Sequence, residues 1–383
     1  MKEKLLHFGS YVLVAVLSTV LTLTMVHLEI GLKPSKLDQL ESLIEEKFIG
    51  EADPEKLADA AAGAMVKATG DRWSYYIPAG EYEAYREQSE NAYVGVGMTI
   101  QATEDGSGFL IVDVVSGGPA EEAGIQILDL LIRVEDTDIR SLTASEVGAL
   151  VKGREETYVS LTILRQGTQE TISVQRKRVE TPVATFEMLD GNIGLVTIEN
   201  FDERCAKESV SAIETLLKNG AEKLIFDVRH NPGGYASELV ELLDYLLPEG
   251  DLFRTVRYDG KEHVDTSDAD CLEIPMAVLV NASSYSAAEF FAAALREYDA
   301  AVIVGEPTVG KGYFQSTYQL SDGSAVALSI GKYFTPKGVS LAENGVTPDV
   351  VVTVEEETAQ GIYYGTLTPE NDPQIQAAVK ALN

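Results

Sequence analysis

The 383-residue chain carries 61 Asp+Glu against 30 Lys+Arg, a formal net charge of −31, with 45% hydrophobic residues. That composition can bury a core, which sets disorder aside, and the length suggests two or three domains of roughly 100–200 residues each. The acid excess makes a nucleic-acid phosphate backbone a poor partner; Cys205 and Cys271 form neither a disulfide framework nor a CxxC pair, and His7, His27, His230 and His263 are scattered, so no metal or cofactor is expected.

The first informative segment is uncharged from Phe8 to Val26, close to the roughly 20 residues that span a bilayer as a helix. Lys2 and Lys4 precede it and no basic residue follows until Lys33, so residues 1–7 are expected in the cytoplasm, 8–26 as a signal-anchor, and the rest outside. A cleaved signal peptide is the alternative, although no A-x-A-like site follows. Residues 27–90 read as a helical arm. Leu37, Leu40, Leu43 and Ile44 recur at helical spacing, Asp53-Pro54 is an N-cap followed by proline, and Gly70 lies where a helix would stop. The apolar stripe suits either a plain spacer or a homodimer contact.

Residues 91–180 alternate as short strands, "YVGVGMTIQA", "GFLIVDVV", "LLIRVED", "YVSLTILRQG" and "TISVQRKR", with one short helix, "TASEVGALVKG". "YVGVGM", followed by "GGPAEEAGI" and Asp129, resembles a PDZ domain. The resemblance implies that Gly95, Val96, Gly97 and Met98 form a loop whose backbone N–H groups receive a peptide's terminal carboxylate. Ile127-Leu128 stands where such domains carry Pro-Gly, so that turn is expected to differ.

From residue 181 to 360 strands and helices alternate, the pattern of an α/β layer, and 361–383 form a C-terminal segment. "FDVRHNPGGY" ends a strand in a turn that can point backbone N–H groups at an anion. In "MAVLVNASSYSAAEFFAAALREY" a buried strand runs into a polar loop, and Ser286 stands at the N-terminus of a helix. A nucleophile there gains from the helix dipole, while Ser286-x-x-Glu289 also reads as a capping box. Gly305 to Gly312 nearly matches a nucleotide-binding P-loop. Gly312 replaces the required Ser/Thr, and "YFQSTYQL" continues as a strand, so nucleotide binding is set aside. Lys311 is instead an amine projected between glycines, suited to general-base work once desolvated.

"NASSYSAAE", "VGEPTVGKGYFQ", "DVRHNPGG" and "YFTPKGVSLAENGVTPDV" together resemble the C-terminal processing (tail-specific) serine peptidases. The resemblance implies an α/β crotonase-like protease core with an inserted PDZ domain, Ser286 as nucleophile, Lys311 as general base and Gln315 orienting the lysine. Gly233 or Gly234, with Ala287, would supply oxyanion N–H groups. Tyr285 and Ala288 depart from the smaller or hydroxylated residues usual there. Four residues of extended chain would hold Lys311 and Gln315 about 13 Å apart, so a bend near Gly312 or converging side chains are expected. His230, in the turn before Pro232, is the competing base. The expectation is a membrane-anchored extracytoplasmic endopeptidase that cuts protein substrates near their free C-termini. A non-catalytic PDZ scaffold and a crotonase-type acyl-CoA enzyme are the alternatives.

Overall fold

A computed structural model of the protein describes residues 14–20 and 34–383. The chain divides into two compact units, Met1–Pro78 and Ala79–Asn383. Among the described residues no helix is long and apolar enough to cross a membrane. The segment expected to do so, 8–26, lies outside the described residues except for 14–20, which are helical and expose Val14, Val16, Leu17 and Val20.

In the first unit, helix α1 (Lys36–Lys47) begins at Ser35, whose hydroxyl accepts the Asp38 N–H while the Asp38 carboxylate accepts the Ser35 N–H at 2.7 Å. Helix α2 (Pro54–Lys67) begins as expected on Asp53, whose carboxylate accepts two N–H groups of the first turn. Neither helix buries a residue fully; Leu40 is 52%, Leu43 55% and Met65 63% exposed, leaving an apolar stripe uncovered. The helical reading through residue 90 is interrupted by a strand, β1 (Tyr75–Ile77). Aromatic and β-branched residues favour extension, and Pro78 pushes Ile77 out of the helical region. The Tyr76 hydroxyl donates to Asp59 at 2.6 Å, tying that strand back to α2.

The second unit opens with α3 (Ala79–Ser89) and then a β-rich module. Its strands are β2 (Ala92–Gly95), β3 (Met98–Ala102), β4 (Phe109–Val114), β5 (Leu130–Val134), β6 (Thr137–Asp138), β7 (Tyr158–Arg165), β8 (Thr168–Gln175) and β9 (Lys177–Glu180). β3, β4, β5, β7 and β8 form one sheet in that order, and β2 pairs with β9. A four-residue helix α4 (Pro119–Glu122) and α5 (Ala144–Val151) complete it. Alternate residues of the strands, among them Phe109, Ile111, Leu131, Val159, Leu161 and Ile163, are fully buried with Val147 of α5. The altered turn is explained by Leu128. It adopts φ +73° where glycine would be at ease, and is 73% exposed, so its side chain avoids the backbone by pointing outward. Asp129 then anchors the turn, accepting from the Gln126 N–H at 2.8 Å and from both Nε and Nη2 of Arg165.

The remainder is built on a six-stranded sheet ordered β10 (Ala184–Leu189), β11 (Ile193–Ile198), β12 (Lys223–Asp227), β15 (Met276–Val280), β16 (Ala301–Gly305) and β19 (Val350–Val351). All pairings are parallel except β10 with β11. Period-two alternation divides the buried strand residues. Leu224 and Phe226 join α6 (Cys205–Lys218), α7 (Ala236–Leu246) and α8 (Ala287–Glu297) in one core, while Ile225 joins α10 (Pro373–Ala381) in another. Phe291 of α8 packs 5.6 Å from the Phe201 ring and 5.4 Å from Phe226, so α8 is held by side chains rather than by propensity alone. Truncating such a ring costs about 3–5 kcal/mol. Outside this sheet, β14 (Glu262–Ser267), β13 (Gly250–Arg257), β18 (Ala325–Phe334) and β17 (Tyr313–Gln319) run antiparallel side by side. Helix α9 (Glu356–Tyr363) precedes α10.

Candidate active site

Strand β12 ends at Asp227 and delivers the turn 228–234 to the edge of the sheet. Arg229 fixes this turn from below. Its guanidinium grips both oxygens of Asp227 and reaches Asp372 at 2.7 Å and Gln374 at 2.9 Å, with only 4% of the side chain exposed. Burial works against that charge, but two carboxylates more than offset it and push its pKa up. Asn231, fully buried, donates to the Ile198 carbonyl at 2.7 Å and accepts the Gly233 N–H at 2.8 Å. Gly233 sits at φ +86°, and a Cβ there would lie 2.7 Å from Ser286 Cβ and 2.8 Å from the Ala287 nitrogen. Only glycine lets the turn lie this close to the following loop.

That loop runs from Asn281 at the end of β15 to α8. Asn281 staples the two turns together: its Oδ1 accepts the backbone N–H of His230 and of Ser283, each at 3.0 Å, and Nδ2 faces His230 Nε2 at 2.9 Å. The buried Ser284 hydroxyl donates to the Val228 carbonyl at 2.7 Å, and the Tyr285 N–H donates to the Asn231 carbonyl at 3.1 Å. Ser286 follows at φ 59°, ψ −126°, with 6% exposure. Holding a non-glycine residue in so sparsely populated a region costs about 1–3 kcal/mol, and the surrounding bonds sustain it. Ser286 and the Ala287 N–H therefore stand together at the positive end of α8, against Gly233.

Lys311 reaches the same place from the loop after β16. Gly310 has φ +82°, and a Cβ there would meet backbone of residues 343–345 at 2.9 Å, so the lysine loop is packed against that segment. Glu289, on the first turn of α8 and 0% exposed, joins the two loops. Its Oε2 accepts the N–H of Ser286 at 2.9 Å and of Lys311 at 2.8 Å. Its Oε1 accepts the Gly310 N–H at 2.7 Å and the Thr308 hydroxyl. Lys311 Nζ stands 5.6 Å from the centre of the ring of Tyr285, the residue before Ser286. The register of β17 against β18 shifts between Phe314 and Gln315. The Gln315 carboxamide donates to Ser329 Oγ at 2.9 Å and to the Tyr313 carbonyl at 3.3 Å, within the β17–β18 hairpin.

Two further titratable groups border the site. His230 has φ +60°; burial, and then Arg229, hold its pKa below the usual value. Asn281 Oδ1 already accepts N–H groups, so Nδ2 is the donor to Nε2, whose lone pair is thereby used. Asp202 follows Phe201, which pairs with Gly234. Burial, then Glu203 and Glu238, raise its carboxyl to about 7.

The sequence motifs thus led to Ser286, Ala287, Gly233 and Lys311, which the fold brings together, and to Gly234 one residue further along the same turn. Gly95, Val96, Gly97 and Met98 lie in the β-rich module, Gly95 ending β2, Met98 starting β3 and Val96-Gly97 joining them. Glu289 was legible only as the capping partner of Ser286. Its other three donors come from a loop about twenty residues away, although an isolated glutamate inside "AAEFFAAA" was a usable signal. Asn231, Asn281 and the Arg229–Asp372 pair had no sequence signal beyond polar residues in turns.

Residues 192–352 match Peptidase family S41, and residues 93–175 match the PDZ domain. The carboxy-terminal processing protease CtpA of Bacillus subtilis is 32% identical over 321 residues, covering 83% of this chain and 68% of that protein. A CtpA-like serine protease of Staphylococcus epidermidis is 29% identical over 367 residues, 92% of this chain and 74% of the relative. The fold is shared with an S41 protein of Bacteroides fragilis, with TM-score 0.53, 18% identity, and coverage of 92% of this chain and 98% of that one.

Proposed function

The chain belongs to peptidase family S41, as a serine-type C-terminal processing peptidase with a PDZ domain, and from that membership we propose that Ser286 and Lys311 form its catalytic dyad. The observation that carries the reading is the shared Glu289 oxygen, which holds the backbone of both residues at one point. Lys311, in its neutral form, takes the proton from Ser286 Oγ as that oxygen attacks the substrate carbonyl. The proton then passes to the leaving amine as the peptide C–N bond breaks, and water hydrolyses the acyl-enzyme by the same route in reverse. The Ala287 N–H at the start of α8 stabilises the oxyanion together with the glycine turn. The Gly233 N–H is engaged by Asn231, which leaves Gly234 as the turn's other candidate donor. Gln315 orients the lysine in this reading, with its carboxamide held by Ser329 and the Tyr313 carbonyl. His230 is a poor base, because the lone pair of Nε2 already accepts from Asn281.

Substrates are proteins with free C-termini, whose carboxylate the Gly95–Met98 loop receives. Helices alternating with a parallel sheet are in keeping with a crotonase-like core. The uncharged run 8–26 would anchor the enzyme in the membrane with the catalytic unit outside the cytoplasm, and the uncovered stripe of α1 and α2 would pair two copies. A fluorophosphonate probe tests the catalytic reading: labelling that disappears in Ser286→Ala and Lys311→Ala supports the dyad. Labelling and cleavage that survive Lys311→Ala but vanish in His230→Ala replace it with a histidine mechanism.

A further inference from the structure

Asn281, on the nucleophile loop, and His230, on the glycine turn, are joined by two hydrogen bonds whose directions are fixed. Asn281 Oδ1 accepts the N–H groups of His230 and Ser283, each at 3.0 Å, with the Ser284 hydroxyl at 3.4 Å. Only an oxygen can stand among those donors, so the carboxamide nitrogen is the atom that faces His230 Nε2, 2.9 Å away, and donates to it. Nε2 is therefore unprotonated, and the neutral ring carries its proton on Nδ1. Neither partner is free to turn aside. Asn281 is buried, the His230 backbone is held at φ +60° by the bond to Oδ1, and Tyr363 of α9 packs edge-on against the ring at 5.2 Å between centres. Arg229, on the same turn, opposes a positive charge on the ring; Asp227, at the end of β12, and Glu306, just after β16, favour one. Tyr363 is the titratable group that α9 places against it.

We propose that neutral His230 is a positioning residue for Ser286: it holds the Asn281 amide in the one orientation that staples the glycine turn to the nucleophile loop, and protonation at Nε2 releases the staple. The inference rests on the reading of Ser286 as the nucleophile. An imidazolium presents an N–H at Nε2, donor to donor with Asn281 Nδ2. Turning the amide over satisfies the ring, but it points the NH2 group at the two backbone N–H groups that Oδ1 had accepted and leaves them without a partner. The turn then loses its tie at residue 230, while the Ser284–Val228 and Tyr285–Asn231 bonds remain. Gly233, where a Cβ would lie 2.7 Å from Ser286 Cβ, is part of that turn, so its close register with the nucleophile is loosened rather than lost. The chemical step slows because the oxyanion donors no longer stand at one fixed place relative to Ser286.

The test follows the rate of labelling by a fluorophosphonate probe from pH 8 to pH 5, in the full chain and in His230→Gln, whose side-chain oxygen can accept from Asn281 but does not titrate. Protonation of Lys311 slows both proteins alike; release of the staple slows only the wild type. The ratio of wild-type to variant rate should therefore fall about three- to tenfold over that range. A ratio that stays constant overturns the inference. A second measurement needs no catalysis: nitrogen NMR of the isotopically labelled histidine rings in the full chain carrying Ser286→Ala should show His230 at pH 8 with Nδ1 protonated and Nε2 bare. Its signals are those missing from His230→Gln or from His230→Asn, the latter a residue that tolerates φ +60°. An Nε2 that carries the proton at pH 8 overturns the inference as well. Labelling of Ser286→Ala at the wild-type rate overturns the nucleophile assignment beneath it, a result distinct from either of these.

Discussion

Replacing Glu289 with glutamine changes one atom, yet it should damage the site more than most larger substitutions. Four donors converge on a fully buried carboxylate: the N–H groups of Ser286, Gly310 and Lys311, and the Thr308 hydroxyl. Only the ionised group offers acceptors to all of them. A glutamine amide placed at the Oε1 position can donate to Thr308 Oγ1 but faces the Gly310 N–H donor to donor; placed at Oε2 it faces both Ser286 and Lys311. The better orientation still orphans one buried N–H, at about 1–3 kcal/mol, and removes charge assistance from two more bonds, about 1 kcal/mol each. The sum is about 3–5 kcal/mol, divided between global stability and the energy that holds Ser286 at φ 59° next to the lysine loop. Denaturant midpoints read the first share. Peptide cleavage reads the second, as a kcat lowered at least tenfold with KM little changed, since each 1.36 kcal/mol is a factor of ten. Stability within about 0.5 kcal/mol of the wild type, together with an unchanged kcat, would refute the coupling through Glu289.

Lys311→Arg should be as inactive as Lys311→Ala in the same peptide assay, because arginine stays protonated at any working pH, whereas His230→Ala should keep most activity; a cleaving arginine variant sinks the general-base assignment. His230 contributes a pH-dependent part of the stability. Its folded pKa lies below the unfolded 6.5, so the contribution is complete above that value and is lost as pH falls below it. The stability gap between wild type and His230→Ala should accordingly narrow from pH 8 to pH 5. Asp202 has the opposite sign: with the carboxyl raised from 3.8 to about 7, folding retains a proton that unfolding releases, and wild-type stability falls as pH rises between those values. Asp202→Asn should flatten that slope, and an unchanged slope would show that the carboxyl is solvated. For the arm, Leu40→Glu with Leu43→Glu should convert a sedimenting dimer to monomer without changing per-site labelling by the serine probe; a chain already monomeric at micromolar concentration removes the pairing.

The α/β order, the β-rich module, the start of α8 at Ala287 and the strand after Lys311 were all legible in the sequence. Each depends on local periodicity, on turn residues or on a cap, and those are properties of neighbours along the chain. The strand Tyr75–Ile77 escaped because three residues inside a helical arm carry too short a pattern to be told from the run around them. Ser286, Ala287, the glycine turn and Lys311 were legible because each sits in a motif at a strand exit. What joins them was not. Glu289 and Lys311 are separated by a strand and a loop, and their bond exists only because β15 and β16 lie side by side in parallel. Likewise Arg229 meets Asp372 at a separation of 143 residues, through α10 covering the sheet. Sequence by itself determined which residues could do the chemistry, since side-chain identity and local conformation are written in short segments. Tertiary structure alone decided which buried polar groups hold them in register. A buried donor must find an acceptor wherever packing brings one, and packing is a property of the whole sheet rather than of any window of the chain.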